Sequence, residues 1–219
     1  GYLTGITLLI FAIRLRPRYE NFSAVLLSGA MAVFYFITYA AYSFYDLIPQ
    51  LAAFGLMVVF TAFAVVAALA YNLQVIAHIG LVGAYAIPFL LSDDSGRVEI
   101  LFSYTAIINS GILFISFRRN WKSICYSAFG ITCLIYWSWF FYSYQTDTHF
   151  ALALAFLFVF FIIFYLTILS YKLIQQEKFR FDDIFLLILN AFIFYGTGYV
   201  ILDGHETGKH LLGLFTMGN

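Results

Sequence analysis

The chain has 219 residues, 63% of them apolar and 10% charged; eleven basic and eleven acidic residues cancel, and the mean hydropathy is +0.93. That balance lies outside the soluble globular range, and without a run of like charge it excludes an electrostatic footprint for nucleic acid. The apolar residues come in blocks of 17 to 23, which marks membrane spans, and because hydrocarbon tolerates no open sheet edge each block must be helical.

In chain order, residues 1–13 read as the tail of a helix, and 14–21 form a connection carrying Arg14, Arg16 and Arg18. Residues 22–44 are a full span closed by Tyr45, Asp46 and Pro49. Residues 51–71 return, and Asn72, Leu73 and Gln74 turn the chain at once into a fourth apolar stretch, 75–91. After an Asp-, Ser- and Gly-rich turn at 92–99 come spans at 100–116, 124–144, 150–170 and 184–202, and a further span begins at Leu211. The expected fold is an all-α polytopic transmembrane bundle with seven complete spans and a partial span at each end. It forms one transmembrane domain, 1–219, in what reads as a piece of a longer multi-pass protein. Cys125 and Cys133 stand eight apart in one helix, about 12 Å, too far to bridge.

Basic residues alternate between successive connections. The connections at 14–21, 72–74, 117–123 and 171–183 hold nine Lys and Arg; those between them hold two. The first set is therefore expected on the cytoplasmic side. Tyr19, Tyr71, Trp121 and Tyr171 mark that boundary, and Tyr42, Tyr45, Trp137, Trp139, Tyr142 and Tyr144 mark the other, at the headgroup level where amphipathic rings reside.

The fourth stretch carries the most information. At 17 residues it rises about 25 Å, less than the ~30 Å hydrocarbon core. At helical spacing Gln74, His78, Tyr85 and Pro88 share one face, and Gly80, Gly83, Ala84 and Ile87 the other. Pro88 removes a donor and crowds the carbonyl of Ala84, so a bend is expected there. Interrupted spans are also where transporters place binding sites. In the fifth helix Thr105, Asn109 and Ser116, at offsets of four and seven, form a second polar stripe. Set against the first, it would line a pathway for a neutral polar solute; taken alone, it is interhelical hydrogen bonding. The candidate pathway residues are thus Gln74, His78, Tyr85, Pro88, Thr105 and Asn109. Small residues (Ala64, Ala67, Ala68, Gly80, Ala84) are expected to let the third and fourth helices pack closely.

No Asp, Glu, Lys or Arg falls inside a complete span, which argues against a proton-coupled mechanism in these helices. Asp203, His205, Glu206 and His210 in the last connection form at most a loose cation site. The two His are five apart, unlike a zincin pair, and the glycines point to a loop; no metal and no cofactor is expected. Residues 92–96 read as turn and cap chemistry for the fifth helix, and Arg118, Arg119, Trp121 and Lys122 as a membrane-surface anchor. No nucleophile–base pair and no phosphate-cradling glycine loop is present, so the reading leans away from an enzyme.

Three segments, YAAYSFYDLIPQLAAF (39–54), AYNLQVIAHIGLVGAYAIPFLLS (70–92) and LFSYTAIINSGILFISFRRNW (101–121), resemble the bacterial predicted-membrane-protein family known as domain of unknown function 2339. This chain has Gly83-Ala84 where the family pattern has Gly-Gly. The resemblance implies a long array of membrane helices and carries over no catalytic residue. The expected setting is the bacterial cytoplasmic membrane, with the bilayer as partner and other membrane subunits or further helices of the parent chain beside it. Three functions fit: transport or translocation of a neutral or lipid-like substrate, an envelope-assembly scaffold without substrate, or an enzyme on lipid-linked sugars using Asp46, Asp93 or Asp94.

Overall fold

The computed structural model describes residues 1–72, 74–90, 98–118, 121–173 and 179–218, which form nine helices and no strand. They are α1 (Tyr2–Leu15), α2 (Glu20–Ser43), α3 (Gln50–Tyr71), α4 (Gln74–Leu90), α5 (Val98–Arg118), α6 (Lys122–Ser143), α7 (Thr146–Leu173), α8 (Phe181–Asp203) and α9 (Glu206–Gly218). Six of them, α2, α3 and α5 to α8, are long and apolar enough to cross a bilayer. The count is one short of the seven expected, and α4 makes the difference: its 17 residues fall below a full crossing. α1 and α9, at 14 and 13 residues, are the short elements expected at the two ends.

Contacts divide the chain into two units, Gly1–Gly96 and Arg97–Asn219. In the first, α2 touches α1, α3 and α4. Its core is Ala30, Met31 and Phe34 against Ala64, flanked by Leu8, Leu9 and Phe60. Small residues set the approach distances. A Cβ on Gly80 would stand 3.0 Å from that of Ala64, and one on Gly83 only 2.6 Å from the Tyr35 ring. The small face of α4 is thus wedged between α3 and α2, as its sequence implies. Asn72 makes the sharp reversal, closing α3 in the left-handed region at φ 53°, where Asn is among the few residues tolerated. Beside it the Arg16 guanidinium lies 4.3 Å over the Tyr71 ring and donates to the carbonyl of Ala70. The Tyr71 hydroxyl is 2.9 Å from that of Ser23. The Arg16 connection and the Asn72 turn therefore share one end of this unit, as the alternation requires.

In the second unit α7 touches α5, α6 and α8. Its 28 residues rise about 42 Å, and it is apolar on every side, including the face that carries the exposed Phe158 and Tyr165, as a helix in lipid can be. Phe102, fully buried, has the rings of Tyr136, Trp139, Phe156 and Phe160 at 5.0–5.9 Å. Lys122 at the start of α6 pairs with Asp183 at the start of α8 at 3.0 Å, so the two basic connections of this unit also meet at one end.

The last connection differs from expectation. α9 begins at Glu206, so Glu206 and His210 are helical rather than in a loop. A Cβ on Gly208 would fall 2.8 Å from Cα of Leu202 and closer still to its carbonyl oxygen. The glycine lets the start of α9 press on the end of α8, and what reads as loop composition is close helix packing.

Candidate functional site

The α4 residues lie in the first unit and the α5 residues in the second, each held by its own neighbours. Gln74 is exposed, and its carbonyl accepts from Nδ1 of His78 at 2.9 Å, one turn along α4. Tyr85 is buried. Pro88 falls within α4, but its side chain lies outside the described ones, as do Asp93 and Asp94 altogether.

The α5 stripe is buried as a whole, with Thr105, Asn109 and Ser116 each no more than 1% exposed. Thr105 donates to the Leu101 carbonyl of its own helix at 2.8 Å. Asn109 reaches α6, its amide donating to the Thr132 hydroxyl at 3.0 Å. Ser116 reaches α7, with 2.6 Å to the Ser170 hydroxyl. Two similar links complete the unit. The Tyr136 hydroxyl donates to the Ala153 carbonyl at 3.0 Å, and the Asn190 amide to that of Phe161 at 3.1 Å. Each binds one helix to another across a region with no water to compete.

A second feature has no counterpart in the sequence reading. α6 and α8 both pack on α7, but their backbones do not contact one another. Between them runs a groove of about 430 Å³ lined by Trp137, Phe141, Phe192, Ile193, Gly196 and Thr197, among others. Its rim is open, Phe141 being 77% and Phe192 70% exposed. Below it, a cavity of about 30 Å³ reaches inward to Thr132, Cys133 and Asn190, sharing Trp137 and Ile193 as walls. It has room for a water. The Asn190 carbonyl oxygen accepts no hydrogen bond from any described residue. A lone Asn at the centre of an apolar span is the signal in the sequence that marks this position.

The candidate cation residues lie at the far end of this unit, where only His205 among them has a ring contact described. His205 stacks on Phe150 at 4.1 Å, and His149 accepts from the Gln145 backbone N–H and packs on Trp139 at 5.5 Å. Asp203 and Glu206 are exposed. Among the described residues no three His, Cys, Asp or Glu side chains come together. Burial pushes the Tyr144 phenol up, with an opposing contribution from Thr146.

Neither the curated proteins nor the solved structures contain a match to the chain. A family model described as "Predicted membrane protein (DUF2339)" matches residues 1–215. The match reaches from α1 into the last turn of α9, well beyond the three segments that carry the resemblance. Six crossing-length helices and a match over nearly the whole chain agree: this is a multi-pass membrane protein, and it belongs to that family.

Proposed function

We propose that the protein is a translocation component of the bacterial cytoplasmic membrane, acting on a neutral or lipid-like substrate, with its basic connections facing the cytoplasm. The observation that carries this reading is the groove between α6 and α8. It is open at the side, apolar along its length, and continuous in its walls with a small, mostly aromatic chamber that Asn190 and Thr132 also line. At about 430 Å³ it falls within the size range of ligand sites.

A second reading, an assembly scaffold, is favoured by a different observation: the α5 stripe is occupied by helix-to-helix hydrogen bonds. Reconstitution separates the two. Purified protein in vesicles is given a fluorescent short-chain phospholipid in one leaflet, and its transfer is followed by reductant quenching. Transfer above protein-free vesicles, unchanged in Asn109→Leu, places the activity away from the α5 stripe. Transfer lost in Asn109→Leu with assembly intact returns the pathway to α4 and α5. No transfer of either a lipid or a neutral polar solute leaves the scaffold.

A further inference from the structure

The polar groups half-way along the helices of the second unit form one layer. Asn109, Thr132, Phe161 and Asn190 each stand within about two residues of the midpoint of their helix, α5, α6, α7 and α8 in turn. Two hydrogen bonds join these helices in pairs. The Asn109 amide donates to the Thr132 hydroxyl at 3.0 Å, tying α5 to α6, and the Asn190 amide donates to the Phe161 carbonyl at 3.1 Å, tying α8 to α7. The pairs meet at the chamber of about 30 Å³, which Thr132 and Asn190 both line. The open groove leads from this layer along the later halves of α6 and α8, away from the Lys122–Asp183 pair.

The Asn190 amide has one orientation. A backbone carbonyl only accepts, so the nitrogen must point at Phe161 and the oxygen away from it. That oxygen has no partner among the described residues. Unlike the sealed hydroxyls of Ser28 and Tyr126, it keeps accessible surface, and in a residue only 4% exposed that surface is the wall of the chamber. An unpaired amide oxygen is costly in hydrocarbon, where bulk water cannot supply the missing bond.

A water needs about 10–15 Å³ of such space and two to four polar partners. The chamber, at about 30 Å³, offers both. A water there donates one hydrogen to the Asn190 oxygen. It donates the other to the Thr132 hydroxyl oxygen, which can accept a second bond beside the one from Asn109. Its own oxygen takes the weak S–H donor of Cys133, which also lines the space. A hydrocarbon tip of the same size would fill the chamber and leave the amide oxygen unpaired.

We infer that one ordered water sits in this chamber and bridges Thr132 of α6 to Asn190 of α8. It closes the layer into a single hydrogen-bonded chain, Asn109–Thr132–water–Asn190–Phe161, and so links α6 to α8, whose backbones do not contact one another. The bridge is independent of whether the neighbouring groove carries a substrate.

Cys133 gives a readout inside the chamber. In a Cys125→Ala background it is the one thiol of the chain. Its S–H stretch, followed by infrared spectroscopy of the full chain in nanodiscs on transfer to D2O, reports the arrival of water. Exchange is expected to slow roughly tenfold, the effect of one lost hydrogen bond on an occupancy, in Thr132→Val and in Asn190→Leu, each close in size to the residue it replaces. Asn109→Leu, which removes a bond on the other side of Thr132, should leave the exchange as fast as in the background. Exchange already as slow in the background, exchange left fast by either chamber substitution, or equal slowing in Asn109→Leu overturns the inference. A structure at a resolution that shows other ordered waters decides the same point without a variant. Solvent density within hydrogen-bonding distance of both Oδ1 of Asn190 and Oγ1 of Thr132 supports the bridge, and a dry chamber removes it.

Discussion

Lys122 and Asp183 are the residues whose chemistry is most at odds with their surroundings. The Asp183 side chain is 3% exposed and the Lys122 side chain 16%, and Asp183 also accepts the Arg180 backbone N–H at 3.0 Å, capping α8. A buried pair adds little net stability, but removing one partner takes away what offsets much of the other's desolvation, at a cost of up to about 3–5 kcal/mol. Lys122→Met should therefore lower the thermal stability of the detergent-solubilised protein sharply. Lys122→Met with Asp183→Asn should recover most of the loss, because the amide oxygen still caps α8 and no charge is left behind. Fluorescence-detected size exclusion after heating reads both; equal losses in the single and double variants would show that the pair is not what holds this end. The α5 stripe shows what is legible at this scale. Helical period alone places Thr105, Asn109 and Ser116 on one buried face. Their partners Thr132 and Ser170 were not legible, since these depend on which neighbours α5 packs against, and local spacing carries no record of that.

Elements were legible where hydrocarbon dictates them and blurred where it does not. Hydropathy senses only the part of a helix inside lipid, so the expected 150–170 becomes Thr146–Leu173: backbone hydrogen bonding continues into the interface, beyond the apolar residues. The Asn72 turn came out as read, because a two-helix reversal this tight leaves few residues to choose from. α9 was misplaced because glycine carries two messages, chain reversal and close packing, and only the tertiary neighbour distinguishes them. Substitution exposes that difference. In Gly208→Ala the new methyl meets the Leu202 backbone, which has no rotamer by which to yield, so the α8–α9 corner must open. Gly111→Ala, with nothing within 4 Å, adds a methyl to an exposed helix face and should be neutral or slightly stabilising, by up to ~1 kcal/mol. Limited proteolysis near residue 205 is expected to accelerate in the first variant alone. Equal rates in the two would mean that Gly208 is not the contact that seats α9.

For the whole molecule, sidedness is the property that the remaining arguments use, because it decides which leaflet the α6–α8 groove faces. Nine of eleven basic residues fall in alternate connections, and such a bias sets the orientation of short-looped membrane proteins. Within each unit the geometry is consistent with that alternation. Arg16 meets the Asn72 turn in one, and the Lys122 and Arg180 connections meet in the other. These clusterings fix the crossings inside each unit, α2 and α3 in one and α6 and α7 in the other, and leave those between them to the count of basic residues. α4 is the element at risk, since its 17 residues leave a deficit of about 5 Å that the bilayer or flanking side chains must absorb. A variant with Cys125 and Cys133 replaced by Ala and one Cys introduced in turn at Arg18, Tyr45, Asp147 or Arg180, all exposed, reads the arrangement directly. In intact cells an impermeant maleimide should label positions 45 and 147 and spare 18 and 180 until the membrane is opened. If 45 and 147 label oppositely, α4 does not cross. If all four invert, the groove opens to the cytoplasmic leaflet.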